Sequence, residues 1–190
     1  MLLQDCVVFE GGINVNRVIE YDDKGLVYNV YHHHSFLYDC GEINANSIEV
    51  NTVRIQDDAK VKVVHEGDII VNLSRGYCTR VSRVNDGYLL PYNYSKVVVP
   101  DAIDDCFFVA WFNHSWEVST QLNQLRKSQH KKMKLTHQAL DDFEISLPLL
   151  EYQQHIGNMY KLLINTKRQE QERIAQDELG IKVALNLSLI

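Results

Sequence analysis

The sequence predicts an α+β chain in two parts. Residues 1–147 form a twisted mixed or antiparallel sheet with short helices, and one long C-terminal helix of coiled-coil type follows. Three observations carry this expectation. Short apolar runs bounded by glycine, asparagine and aspartate recur through the first hundred residues, the pattern of strands joined by turns. Beyond Pro100 the apolar residues change to helical spacing. From Leu149 onward Leu149, Ile156 and Leu163 recur every seven residues, with Tyr152 and Met159 between them, the two-per-seven stripe of a helix that pairs.

Taken in order, residues 6–9 read as a strand that Gly11-Gly12 ends. Residues 18–21 read as a second, closed by the turn Asp22-Asp23-Lys24-Gly25, and 26–31 as a third. Nothing in the first sixty residues keeps a helical period over two turns. The strongest β pattern is 61–73. There Val61, Val63 and Val64 lead through Glu66-Gly67-Asp68 to Ile69-Ile70-Val71, a continuous run of the buried kind. After Ser74-Arg75-Gly76, short strands are expected at 81–84, 88–90 and 96–99, and Pro100 ends the last.

Residues 101–105 cap a helix whose Phe108, Trp111 and Phe112 share one core-facing side. A second helix covers 118–125. The basic stretch 126–134 has no apolar face and reads as a loop, and Thr136 is the N-cap of a single turn over 137–140. Residues 144–147 read as a strand running into Pro148 at the first helical position, where a missing N–H costs nothing. Glu151 in the first turn complements the helix dipole. The helix is expected to run over 148–180 with Gly180 at its C′ position, and 181–190 form an apolar tail. Its length of roughly 45 Å exceeds what a small domain can cover. Ile174 continues the stripe eleven residues after Leu163.

Hydrophobic content of 45% is enough for a packed core. No apolar run approaches the roughly 18 residues of a membrane span, and the N-terminus lacks a basic secretory n-region. Cys6, Cys40, Cys78 and Cys106 form no CxxC pair, so structural zinc has no support and reduced thiols in a cytoplasmic protein are expected. Net charge is −6, but unevenly spread: residues 1–68 hold twelve acids and five bases, whereas 118–140 hold five bases and no acid. Local field, rather than total charge, steers a polyanion.

Three segments then resemble the specificity subunits of type I restriction-modification systems. HEGDIIVNLSRG (65–76) is similar to a recurring strand and loop of that family, and VVVPDAIDDCFFVAWFNHSWEVSTQL (97–122) to its proline-led apolar helix. LTHQALDDFEISLPLLEYQQHI (135–156) looks like its junction into the long helix. The resemblance implies a target recognition domain joined to a spacer helix. The usual subunit has two of each, with the helices antiparallel; this chain has room for one, a half-subunit that would form a homodimer. It further implies double-stranded DNA, a methyltransferase (modification) subunit and a restriction subunit as partners. No catalysis and no cofactor are expected on this chain, since S-adenosylmethionine and ATP belong to the partner subunits.

The candidate DNA-binding residues fall into two groups. Arg126, Lys127, His130, Lys131, Lys132 and Lys134 could neutralise phosphates, or could be a solvated loop. Arg75, Tyr77, Arg80, Arg83, Asn93 and Lys96 follow the GDII strand. Arginine can bond guanine bidentately and asparagine adenine, yet alternate residues of a half-exposed sheet also simply face water. Leu149, Tyr152, Ile156, Met159, Leu163 and Ile174 are the candidate dimer interface. His32-His33-His34 on a strand would point to opposite faces, so no metal site is expected. Two rivals stay open: an orphan recognition domain that docks on protein without DNA preference, and a small nuclease. Against the second, Asn113-His114 lacks partners at nuclease spacing.

Overall fold

The computed structural model describes residues 1–19, 25–55, 60–128 and 135–188. Along the chain lie β1 (Val8–Gly11), β2 (Leu26–Asn29), α1 (His33–Asp39), β3 (Thr52–Ile55), β4 (Ile69–Asn72), β5 (Tyr77–Arg80) and β6 (Tyr94–Val98). Four helices follow: α2 (Asp105–His114), α3 (Trp116–Ser128), α4 (His137–Asp141) and α5 (Leu150–Ser188). One antiparallel sheet has the order β1-β6-β4-β5, and β2 and β3 form a separate antiparallel pair. The α+β expectation therefore holds, with a long helix at the C-terminus.

β4 is central because its sequence is apolar on both sides. Ile69 and Val71 face α2, Ile70 faces the opposite core of Tyr31, Phe36 and Tyr94, and all four of its residues are buried. Asn72 ends it by chemistry as much as by geometry. Its Oδ1 accepts the N–H groups of Ser74 and Arg75 at 3.0 Å each, and Gly76, at φ +65°, turns the chain into β5. α2 is buried on every side from Cys106 to Phe112, as a helix without a polar face must be, with the sheet beneath it and α5 above. Asp104 starts it by accepting the Phe107 N–H (2.8 Å). Thr136 caps α4 in the same way through the Ala139 N–H (3.2 Å).

β5 is an edge strand, and Asn113 covers its outer side. The amide accepts the Cys78 N–H and donates to the Cys78 C=O, both at 2.8 Å, standing in for a neighbouring strand. The junction before α5 is held similarly. Gln121 brackets Glu144 (2.6 and 2.9 Å), and Glu117 accepts from Ser146 Oγ (2.8 Å) and Trp111 Nε1 (2.7 Å). Side chains of α3 thus do what a strand partner would have done. Residues 144–147 accordingly form no strand, only a single bridge from Glu144 to Leu2.

Several expectations need correction. His33 and His34 open helix α1, and His32 is its N-cap, accepting the Ser35 N–H at Nδ1 (3.3 Å), so the triplet does not lie on a strand. The strand placed at 81–84 is β5, four residues earlier; Arg83–Asn85 is a 3-10 turn fixed by the buried Asn85 amide on Ser35 O (3.1 Å) and Asp39 (2.9 Å). Residues 88–90 and 61–64 form no strand, only isolated bridges, from Leu89 to Val30 and from Leu89 to Val63, and 18–19 make one, from Ile19 to Ile55. The aspartates and lysine of the turn at 22–25 lie outside the described residues. α3 extends to Ser128, so Arg126 and Lys127 are helical. Pro148 precedes the helix: the Leu149 C=O accepts the Tyr152 and Gln153 N–H groups (2.9 and 3.1 Å), making Leu149 the N-cap. α5 runs through Gly180 without ending there and takes in most of the expected tail.

Candidate functional site

The strands divide the candidate residues between two ends of the sheet. At one end lie the β4–β5 turn with Arg75, the turn holding Asn93, and the start of α4. Backbone bonds tie them together, from Leu73 N to Asn93 O (3.0 Å) and from Leu135 N to Leu73 O (2.8 Å). A side chain at Gly76 would touch both Leu122 of α3 and Leu135. Arg126 and Lys127 are exposed in the last turn of α3, where cations also favour the helix dipole. His130, Lys131, Lys132 and Lys134 lie outside the described residues, between the end of α3 and the anchored Leu135. Arg75 is exposed and within 3.7 Å of Glu42.

At the opposite end are Arg80 and Arg83, with Lys96 between. Arg80 is about 10 Å along β5 from the turn. Its guanidinium is committed to Gly67 O (3.3 Å), Cys106 Sγ (3.3 Å) and Asp105 Oδ2 (3.4 Å), a brace between the turn before β4 and the start of α2. Lys96 pairs with Asp68 at 2.8 Å. Arg83 is exposed. Tyr77 belongs to neither group: it packs edge-on against Phe36 and His114, and burial pushes its hydroxyl up to about 12. The structure sets Arg75 and Asn93 on adjoining turns, with Arg126 and Lys127 about one helical turn beyond Leu122, which faces Gly76, and separates Arg75 and Asn93 from Arg80 and Arg83.

α5 has two faces. Gln153, Gly157, Tyr160 and Ile164 are buried against the domain. Gln153 accepts the Asp104 N–H at Oε1 (3.0 Å) and donates to Pro148 O (2.9 Å) and Ala102 O (3.3 Å), locking the start of α5 onto the start of α2. Gly157 lets the helices close: a Cβ there would overlap the Asp104 carboxylate and crowd the Phe107 N–H. Further along, Arg168 donates to Asp39 O (3.4 Å) at the end of α1 and lies over the Tyr38 ring. The candidate interface residues Leu149, Tyr152, Ile156, Met159, Leu163 and Ile174 are all exposed, from 38% for Ile156 to 74% for Leu149. Counting apolar residues found the outward stripe and missed the inward face, because glutamine and glycine occupy its first two positions. Their i, i+4, i+7, i+11 spacing was the clue.

Among the described residues no group of three histidines, cysteines or acids could hold a metal, and no helix is long and apolar enough to cross a membrane. The four cysteines are free thiols, and burial pushes each of them up.

Residues 21–176 match the model of a family described as the type I restriction modification DNA specificity domain. No curated protein sequence matches. Among solved structures, the chain is similar to one from work on complex assembly and conformational transition of the type I R-M system, at TM-score 0.57 and 16% identity over 97% of this chain. It is also similar to the HsdS subunit from Thermoanaerobacter tengcongensis, at TM-score 0.54 and 18% identity over 92% of this chain. At those identities the likeness is one of fold. The chain spans 42% and 39% of the lengths of these two.

Proposed function

We infer the function from one premise: the chain belongs to the type I restriction modification DNA specificity domain family. It is a non-catalytic component that needs no cofactor of its own; S-adenosylmethionine and ATP belong to partner subunits. Our reading is that it binds double-stranded DNA as one half of a bipartite reader and directs a methyltransferase subunit and a restriction subunit to that site in the cytoplasm. Arg75, Asn93, Arg126 and Lys127 form its DNA-facing end; His130, Lys131, Lys132 and Lys134, outside the described residues, are assigned to phosphate contact by their charge and sequence position alone.

The observation that carries the dimer is the exposed stripe of α5, a 39-residue helix with four buried positions. A stripe of large apolar residues left in water on a projecting helix favours a second helix. Charge selects its direction. From Leu150 to Arg168 the helix holds Lys161, Lys167 and Arg168 against Glu151. Over 169–188 it holds Glu170, Glu172, Asp177 and Glu178 against Arg173 and Lys182. Antiparallel pairing sets the cationic half on the anionic half, whereas parallel pairing stacks like on like. The outward apolar residues at the two ends, Leu149 to Leu163 and Leu179 to Leu187, then also meet each other.

Fluorescence anisotropy with random and cognate duplexes tests the DNA reading. Binding is expected to weaken steeply with salt, and the fourfold change Arg126→Glu, Lys127→Glu, Lys131→Glu, Lys132→Glu to remove it. Unchanged affinity in that variant would count against this end of the molecule as the DNA contact.

A further inference from the structure

A cavity of about 440 Å³ opens between the β5 edge, the 3-10 turn after it and the middle of α5. Arg80 and Arg83 lie on its domain side, Lys161 and Arg168 on its helix side, and Glu66 and Asp39 are the acids that line it. The acceptor positions of Asp39 are taken up within the domain: its carboxylate accepts from Tyr31 Oη (2.8 Å), the Asn85 amide (2.9 Å) and the Ser82 N–H (3.0 Å). Arg80 is bound to Gly67, Cys106 and Asp105 as described. Arg83 and Lys161 make no ion pair among the described residues.

The walls also carry buried polar atoms without a partner among the described residues: Tyr160 Oη and Arg168 Nε. Tyr160 is itself only 6% exposed. Buried donors in folded proteins are, as a rule, hydrogen-bonded. Here one hydroxyl, a guanidinium N–H and two uncommitted cations belong to residues that line one space. That set is matched by an occupant rich in acceptor oxygens and negative in charge, which is the chemistry of phosphate. A single phosphate is far smaller than this volume, whereas pockets of this size take small organic ligands.

We propose that this cleft binds a small polyanion bearing phosphate groups, of polyphosphate or nucleotide size, held between Arg83 of the domain and Lys161, Tyr160 and Arg168 of α5. Bridging the two parts, such a ligand fixes the direction in which α5 leaves the domain. The site is separate from the DNA-facing end and stands or falls without it.

The test uses the 190-residue chain, titrated calorimetrically and by thermal unfolding with tripolyphosphate and with a nucleoside triphosphate, against sodium sulfate at equal ionic strength. Saturable binding is expected, with Tm raised by about 4 °C or more at saturation. Tighter binding of the nucleotide identifies a nucleoside ligand, and equal binding a polyphosphate; both support the site. Lys161→Gln is expected to weaken binding about tenfold and Arg83→Gln similarly. Tyr160→Phe, which keeps the packed ring, is expected to weaken it several-fold with little change in Tm of the unliganded protein. The proposal is overturned if neither ligand exceeds the sulfate control, or if the three variants bind as the parent does. It is equally overturned if a DNA duplex competes with tripolyphosphate and Lys161→Gln weakens DNA binding to the same degree, since the cleft would then belong to the DNA surface.

Discussion

The two halves of α5 are one continuous helix with opposite fates. From Leu150 to Ile164 it lies on α2, with glutamine, glycine, tyrosine and isoleucine turned inward; beyond Arg168 no described residue of it is buried. Helix propensity does not make the difference, since both halves are helical. Contact with the domain does: the first half has a side chain without volume where α2 comes nearest and a glutamine whose amide replaces lost backbone bonds. The second half faces the domain across an open pocket, where Glu172, Ala175, Gln176 and Leu179 stand opposite Asn44–Asn46, and none of its described residues is buried there. Docking and projection are thus assigned by a handful of positions on one face.

Substitutions can break that contrast. Gly157→Leu should have the largest effect, about 3 kcal/mol or more, because the added side chain must displace the Asp104 cap or separate α2 from α5. Urea unfolding checks it, and a parent-like midpoint would mean that the helices are not in close contact. Gln153→Ala should cost about 2–3 kcal/mol by leaving the Asp104 N–H and the Ala102 and Pro148 carbonyls short of partners.

Asp39, under the last docked turn, gives a pH-dependent handle on the same half. Burial raises its carboxyl from 3.8 to about 6, against hydrogen bonds from Ser82, Tyr31 and Asn85 that pull the other way. Because the folded value is the higher, its contribution to stability is full below about pH 4 and is lost as pH rises through about 6. Asp39→Asn should flatten the dependence of Tm on pH across that window. An identical slope in parent and variant would show that another group sets it.

The smallest effect is expected in the projecting half. Gly180→Ala, with nothing within 4 Å of the added methyl, should stabilise the helix by about 0.8–1 kcal/mol, read as increased helical circular dichroism on warming. The same change in the docked half, Gly157→Ala, should destabilise.

What could be read from the sequence follows from how local each determinant is. The strands at Ile69–Asn72 and Tyr94–Val98, the helix caps at Asp104 and Thr136 and the outward stripe of α5 are written in neighbouring residues, and each was anticipated to within a few positions. Helix α1 was not, because its start is capped by a histidine and its inward residues include Ser35 and Asp39, which an apolar count ignores. The strand expected at 144–147 failed for the converse reason: its residues suit a strand, but Gln121 and Glu117, over twenty residues away, occupy its backbone. The candidate surface was legible as charge and not as place. Nothing local in Arg75, Arg80 and Arg83 shows that one lies at the turn and the other two at the far end of a hairpin. Nor does it show that Arg80 is spent on Gly67, Cys106 and Asp105.

Whether α5 is shared between two copies is tested most directly by sedimentation equilibrium of the 190-residue chain at micromolar concentration. The expected result is twice the mass of one chain, falling to one when Tyr152→Glu and Met159→Glu are introduced on the more exposed part of the outward stripe, with the far-ultraviolet circular dichroism of the chain retained. A single-chain mass for the unaltered protein across that concentration range would contradict it.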